Sequence, residues 1–346
     1  MRQIVSINVY GRIEWICDKF ENSSYSRQII QAINKFSAEQ SRNDMLHPNF
    51  CAGLLSTSEF EKVGVSIQLK WLIWRVYTDN RRNLSTFFLR LSLYMLIGLL
   101  LSTPYVGITI YIDQKGVQNI QGLLYLIITE TIFTFNYAVF HTFPNELPLL
   151  LREIADGLYN PAPYYISKIL VSIPSIILQP FIYTTLIYAV VGLKGSYNDF
   201  FLFTTPVILS ALSSAAIGCM MSAVFESIST ASLASVPIDF LTLIFSGIFL
   251  QLRSLPNYIS WIKFVSQFYY GVEAISIIQW RNINQIDCSH DSEEPCISSG
   301  NMVLEKYGYS NDHYVIDCFG LLAIIIISHF VGFVAVKYRS ESQPVY

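Results

Sequence analysis

Two acids, Glu130 and Asp239, stand inside long apolar runs of this sequence. An ionised carboxylate at such a position costs about 3 kcal/mol unless protein or water faces it. Glu130 shares a helical face with Ile127, Thr131 and Thr134, and Asp239 shares one with Ser232, Ser235, Thr242 and Ser246. Both faces therefore point into protein, either as the polar lining of a path or as a hydrogen-bonded clasp between helices. No lysine or arginine at the centre of an apolar run offers either acid a partner. His141 and His329 are the other groups suited to proton transfer. No nucleophile and no HExxH spacing joins them to the acids, which argues against an enzyme working inside the membrane. Between Met1 and Tyr346 there is no GxxxxGK[ST] loop to hold phosphates, so ATP has no site in these residues. Six cysteines, at 17, 51, 219, 288, 296 and 318, are too few and too scattered for a disulfide framework or a zinc site, and no metal is expected. Cys288 and Cys296 lie eight apart in an acidic loop, where they either close a short ring or remain free thiols.

The composition explains why those acids matter. Only 14% of the 346 residues are charged and 52% are hydrophobic, against about 25% charged in soluble domains, and mean hydropathy is +0.42. This is a polytopic membrane chain. Its net charge of -3 and lack of a basic block give nucleic acid nothing to bind. No apolar run of signal-peptide length follows Met1, so the first span should serve as the insertion signal.

Residues 1–57 are polar, with helices expected at about Gly11–Phe20 and Ser26–Gln40. In 58–85, Trp71, Trp74 and Tyr77 recur at three-residue steps beside Lys62, Lys70, Arg75, Arg81 and Arg82. That pattern suits a helix lying along the inner leaflet, with a soluble amphipathic helix as the plainer alternative. Six spans can be drawn across 86–338: Phe87–Ile108, Ile120–Phe140, Tyr164–Val191, Phe200–Phe225, Leu233–Gln251 and Val315–Val336. The fourth is rich in small residues from Ser210 to Gly218, which let helix backbones approach. Pro256–Trp280 carries Lys263 and Glu273, with Arg281 just beyond, and reads as an amphipathic re-entrant or interfacial pair. The stretch 284–317 holds seven acids against Lys306 alone, whereas the N-terminal flank and the segment after the last span are basic. Both termini and the tail 339–346 are therefore expected in the cytoplasm and the 252–314 loop outside.

Several segments resemble the membrane half of the G subfamily of ABC transporters: LPLLLRE at 147–153, YYISKIL at 164–170, IFSGIFL at 244–250, SLPNYISWIKFVSQFYYGVEAI at 254–275, and the two-cysteine loop. The match runs from about Glu14 to Tyr338, nearest to the pigment-precursor and sterol-exporting branches. It implies an all-α type II exporter fold of six spans. An amphipathic connecting helix precedes them and a re-entrant pair precedes the last. Residues 1–57 become the tether that follows an ATPase domain, and residues 143–163 become the coupling hairpin that touches it through Glu146, Arg152 and Glu153, with Leu149, Leu150 and Leu151 giving burial. The substrate slot at the dimer axis would fall at Thr131, Thr134, Phe240 and Leu243, near Glu130 and Asp239. An aromatic ring common in the family at the position of Thr134 is displaced to Phe135 here. The plug above the slot would be Ile248 and Phe249, and the resemblance pairs Cys288 with Cys296.

The function so implied is transport of a hydrophobic or amphipathic small molecule (lipid, sterol, pigment precursor or xenobiotic) by a homo- or heterodimer in a plasma or organelle membrane. ATP and Mg would be held by a nucleotide-binding domain supplied by a partner chain or by residues preceding Met1. The assembled transporter would hydrolyse ATP, whereas this chain alone should not. The alternative is a non-transporting membrane subunit that dimerises with a complete half-transporter and modulates it.

Overall fold

The computed structural model describes residues 63–342 apart from 109–112, 141, 142, 145, 194, 226, 251, 253–255, 257, 282, 284 and 287–295, together with Arg27, Ile30 and Gln31. The chain divides into two units, 1–62 and 63–346. In the first, Arg27, Ile30 and Gln31 are helical, inside the expected Ser26–Gln40 helix, while the expected Gly11–Phe20 helix lies outside the described residues.

The second unit is all-helical, with no strand among the described residues. Helix α1, Val65–Arg82, buries Gln68, Leu72 and Val76 at four-residue steps. It leaves Trp71 and Trp74 more than 60% exposed, edge to face with each other. That is the aromatic stripe of a helix with one side on protein and the other on an interface. Asn83 ends α1 and starts α2, Leu84–Ser102. Helix α3, Gln114–Ala138, begins where the Asp113 carboxylate accepts from the Gly116 N–H at 2.6 Å. A short helix α4, Leu147–Ala155, leads to α5, Pro161–Val191, which Gly192 ends in the left-handed region at φ 71°. Helix α6, Tyr197–Val224, opens on a Ser196–Asp199 capping box. Helix α7 is Ile228–Ile244. A 3-10 turn at Ser260–Val265 then leads to α8, Gln267–Trp280, followed by α9, Gly300–Tyr307, and α10, Tyr314–Ser342.

Four of these segments are long and apolar enough to cross a membrane: Leu84–Tyr105, Pro161–Val191, Tyr197–Val224 and Asn311–Glu341. They fall on the first, third, fourth and sixth expected spans. The other two fall short for different reasons. Helix α3 carries Gln114, Lys115, Gln118, Asn119 and Gln121 at its start and Glu130 at its middle. Helix α7 has 17 residues, about 26 Å at 1.5 Å per residue.

Helix α6 is the post around which the others stand. Most of its apolar window is buried, against a small part of that of α2. Its small residues Ser210, Ala211, Ser213, Ser214, Ala215, Ala216 and Gly218 are all buried, as their spacing suggested. They bring α3 close enough for the Ser214 hydroxyl to donate to the Ile132 carbonyl at 2.5 Å. A methyl on Gly218 would overlap the Asn136 carbonyl oxygen and the Val139 side chain.

The Pro256–Trp280 segment departs from its amphipathic reading. All fourteen residues of α8 are buried, so it has no solvent or lipid side. Lys263 lies in the preceding 3-10 turn and Arg281 pairs with Asp199 at the start of α6. Glu273, the charge within the helix, is met by the Ser310 N–H and His313.

Candidate functional site

Asp239 sits one turn beyond Ser235 on α7, and both point at α3. Its Oδ2 accepts from Asn136 Nδ2 at 2.8 Å, from Ser235 Oγ at 3.0 Å and from the Tyr137 hydroxyl at 3.2 Å. The carboxylate is 2% exposed. Three donors on one buried oxygen replace the water it lost, and they tie the middle of α7 to the end of α3. Of the polar face expected around Asp239, Ser235 joins it directly, while Thr242 turns its hydroxyl to the carbonyls of Ile238 and Asp239. Asn136 and Tyr137 were not among the expected site residues. An amide inside an apolar run is the sequence signal that would have found Asn136.

Glu130 stands two turns earlier on α3, half-buried, and accepts from the Thr134 hydroxyl at 2.9 Å. Thr131 faces another way. Fully buried, it bonds Tyr94 of α2 at 2.9 Å and the Ile127 carbonyl at 2.7 Å. Phe135 meets the same Tyr94 ring edge to face, and Tyr94 stacks on Tyr183 of α5 with ring centroids 4.2 Å apart. So Glu130 and Thr134 share one side of α3, while Thr131 and Phe135 belong to the seam between α2, α3 and α5. On α7, Phe240 is 55% exposed and Leu243 is buried, which puts Phe240 on the outward face and Asp239 with Leu243 on the inward one.

Ile248 and Phe249 follow α7 in an irregular turn where Gly247 adopts φ 98°. Phe249 packs its edge on Tyr125 and is otherwise exposed. Ile248 helps to line a cavity of about 460 Å³ with Tyr105, Gln118, Asn119, Gln121, Gly122 and Tyr307. Gln121 is held there from both ends, donating to Ser276 at 2.8 Å and accepting from Trp280 at 2.9 Å. The lining is uncharged.

The hairpin is the second part of the site. Two of its three expected docking charges are engaged within the chain. Glu146 accepts from Lys168 at 2.5 Å and from the Tyr164 hydroxyl at 2.6 Å, both on α5. Glu153 accepts from Arg75 of α1 at 2.9 and 3.1 Å and from the Tyr159 hydroxyl at 2.5 Å. Burial pushes the Glu153 carboxyl up, but the bonds from Arg75 and Tyr159 and the Arg75 charge outweigh it, and the group lies below its ordinary value. The same contact pushes the Arg75 guanidinium up. Arg152 stays exposed, as does Leu149, while Leu150 is buried beneath the helix. The face left for another protein is thus Leu149 with Arg152, narrower than the three leucines and three charges expected.

His141 and Cys288 lie outside the described residues. His329 faces the Tyr165 hydroxyl at 3.3 Å and is remote in role from either acid. Cys219 and Cys318 are free thiols, and no metal-holding cluster occurs among the described residues.

Comparison with known proteins identifies the arrangement. Residues 67–280, from α1 to the end of α8, match the model of the ABC-2 type transporter family. Protein brown of Drosophila melanogaster is 30% identical over 286 residues, 82% of this chain and 42% of that protein. Protein scarlet of the same species is 32% identical over 230 residues, 66% and 34% of the two chains. Protein white of Ceratitis capitata is 27% identical over 335 residues, 96% and 47%. The chain spans less than half the length of these relatives. It belongs to the ABC-2 type transporter family, as a membrane domain of the G-subfamily half-transporter kind.

Proposed function

We propose that this chain is the translocating half of an ATP-driven transporter and moves a hydrophobic or amphipathic small molecule across a membrane as a homo- or heterodimer. One observation carries the reading. The hairpin helix α4 is bonded both to the interfacial helix α1, through Arg75–Glu153, and to the long helix α5, through Glu146 with Lys168 and Tyr164. A push on α4 is therefore transmitted to two elements at once, while Leu149 and Arg152 remain free to receive it. In this reading a nucleotide-binding domain holds ATP and Mg, closes on its partner and draws the two hairpins together. The half-buried Glu130 and Thr134, the Asp239 clasp, Phe240 and Leu243 edge the path, and Ile248 and Phe249 close it. The chain crosses the membrane six times, α3 shielded by its neighbours and α7 turning Leu233, Ile238, Phe240 and Leu241 outward. Its termini lie in the cytoplasm and a Cys288–Cys296 ring lies in the outer loop.

The test is site-directed cross-linking of Arg152→Cys to the ATPase domain of a co-expressed G-subfamily half-transporter. The reading predicts a cross-link whose yield differs between ATP-bound and ADP-bound states. A cross-link insensitive to nucleotide would favour a modulating subunit that does not transport, and no cross-link at any hairpin position would contradict both.

A further inference from the structure

Glu273 lies midway along α8 and its side chain has no exposure. Its Oε1 accepts from the Ser310 N–H at 3.0 Å and faces His313 Nδ1 at 3.1 Å. Its Oε2 has no partner. One turn beyond His313, Asp317 of α10 is 1% exposed, and its Oδ2 is likewise without a partner. The two carboxylates lie within electrostatic reach of each other, and the Tyr269 hydroxyl is a further hydrogen-bonding neighbour of Glu273. The ionisable groups around them are Tyr269 and Tyr270 on α8 itself, Tyr309 and His313 in the segment before α10, and Cys318 beside Asp317. Lys263 lies over the Tyr269 ring at 5.7 Å. Helices α3 and α6 meet α8 at Gly271 with Ile128 and Ser210, neither of them ionisable.

Two buried like charges in one place cannot both stay ionised without a counter-ion for each. His313, with 44% of its side chain exposed, is the cation in contact when protonated, and it reaches Glu273 only. We propose that Glu273 and Asp317 form a proton-binding site: the pair holds one proton at neutral pH, one orphaned oxygen donating to the other, and His313 is the half-exposed group through which that proton exchanges with solvent. The site latches the 310–317 corner onto α8. While the proton is present the pair carries a single negative charge. When it leaves, two adjacent anions drive the start of α10 away from α8. The latch therefore holds while the pair keeps its proton and opens on alkaline titration.

Infrared difference spectroscopy on the full chain in lipid nanodiscs reads the proton directly. At neutral pH, the spectrum of the unsubstituted chain minus that of Asp317→Asn, and minus that of Glu273→Gln, should each show one carboxylic-acid carbonyl band that shifts in heavy water. His313→Gln should keep the band but move the pH at which it disappears. Absence of a lost band from both difference spectra overturns the site, since both acids would then be ionised or held by a metal cation. Far-UV circular dichroism establishes that each variant folds. The unsubstituted chain supplies a second reading that needs no variant: on alkaline titration the band should vanish together with a fall in melting temperature, and a melting temperature flat across that titration overturns the latch.

Discussion

Arg75 and Glu153 meet through two hydrogen bonds, 2.9 and 3.1 Å long, across 78 residues of sequence. The pair joins a helix whose outer face is tryptophan and tyrosine to the short helix that precedes α5. Because Arg75 is about half exposed, solvent screens the pair and its share of stability is about 0.5 kcal/mol. Its importance lies in position: it is the strut between the interfacial helix and the hairpin.

Reversing one charge should therefore cost coupling rather than folding. Arg75→Glu should leave the melting temperature within a few degrees of the unsubstituted chain while lowering the nucleotide-dependent change in hairpin cross-linking severalfold. The double exchange Arg75→Glu with Glu153→Arg should restore most of it. Equal loss in the single and double variants would mean that the pair does not act as a unit.

The strut should also respond to acid. The Glu153 carboxyl is depressed below its ordinary value of 4.5, so its contribution is present above the unfolded value and is lost as pH falls through the lower, folded one. Spin labels on α1 and α4 should hold their separation from neutral pH down through the ordinary carboxylate range and widen only below it. Glu153→Gln should remove that acid transition, and an unchanged transition in that variant would assign it elsewhere.

The clasp between α3 and α7 should show as a coupling energy. Asn136→Ala takes one donor from Asp239, and Asp239→Asn removes the charge it served. Unfolding of the two single variants and the double variant in detergent should give an interaction of about 1 kcal/mol, the scale for buried polar pairs in membrane proteins. Additive losses would place Asn136 and Asp239 in separate roles.

Close packing of α3 on α6 predicts a contrast between two glycines. Gly218→Val forces a branched side chain into the Asn136 carbonyl and Val139 and should cost roughly 1–3 kcal/mol in thermal unfolding. Gly122→Ala meets nothing nearer than the Tyr105 hydroxyl at 3.9 Å and should be close to neutral.

Much of this architecture could be read from local pattern. Apolar run lengths placed four long helices, the small residues from Ser210 to Gly218 marked the buried post, and the Ser235–Asp239 spacing turned that acid inward. What stayed hidden depends on partners far apart in sequence. Nothing near Glu153 names Arg75, and nothing near Thr131 or Phe135 names Tyr94, the ring that draws both of them toward α2. Helix α8 misled for a related reason. Its Glu273 and the flanking Lys263 and Arg281 look interfacial when read locally, yet the acid is buried because the segment 310–313 comes back to serve it, and Arg281 is taken by Asp199. The internal partners of the coupling charges were likewise out of local reach: nothing near Glu146 names Lys168 and Tyr164, which bond it from α5.

The central claim is that α4 and the segment carrying α9 lie on opposite sides of a membrane. Labelling with a membrane-impermeant thiol reagent on sealed cells, using Arg152→Cys in α4 and Met302→Cys in α9, tests it most directly. The account predicts that the thiol at 302 is labelled from outside, while that at 152 is labelled only after the membrane is opened. Labelling of 152 from outside, or protection of 302 until lysis, would contradict it.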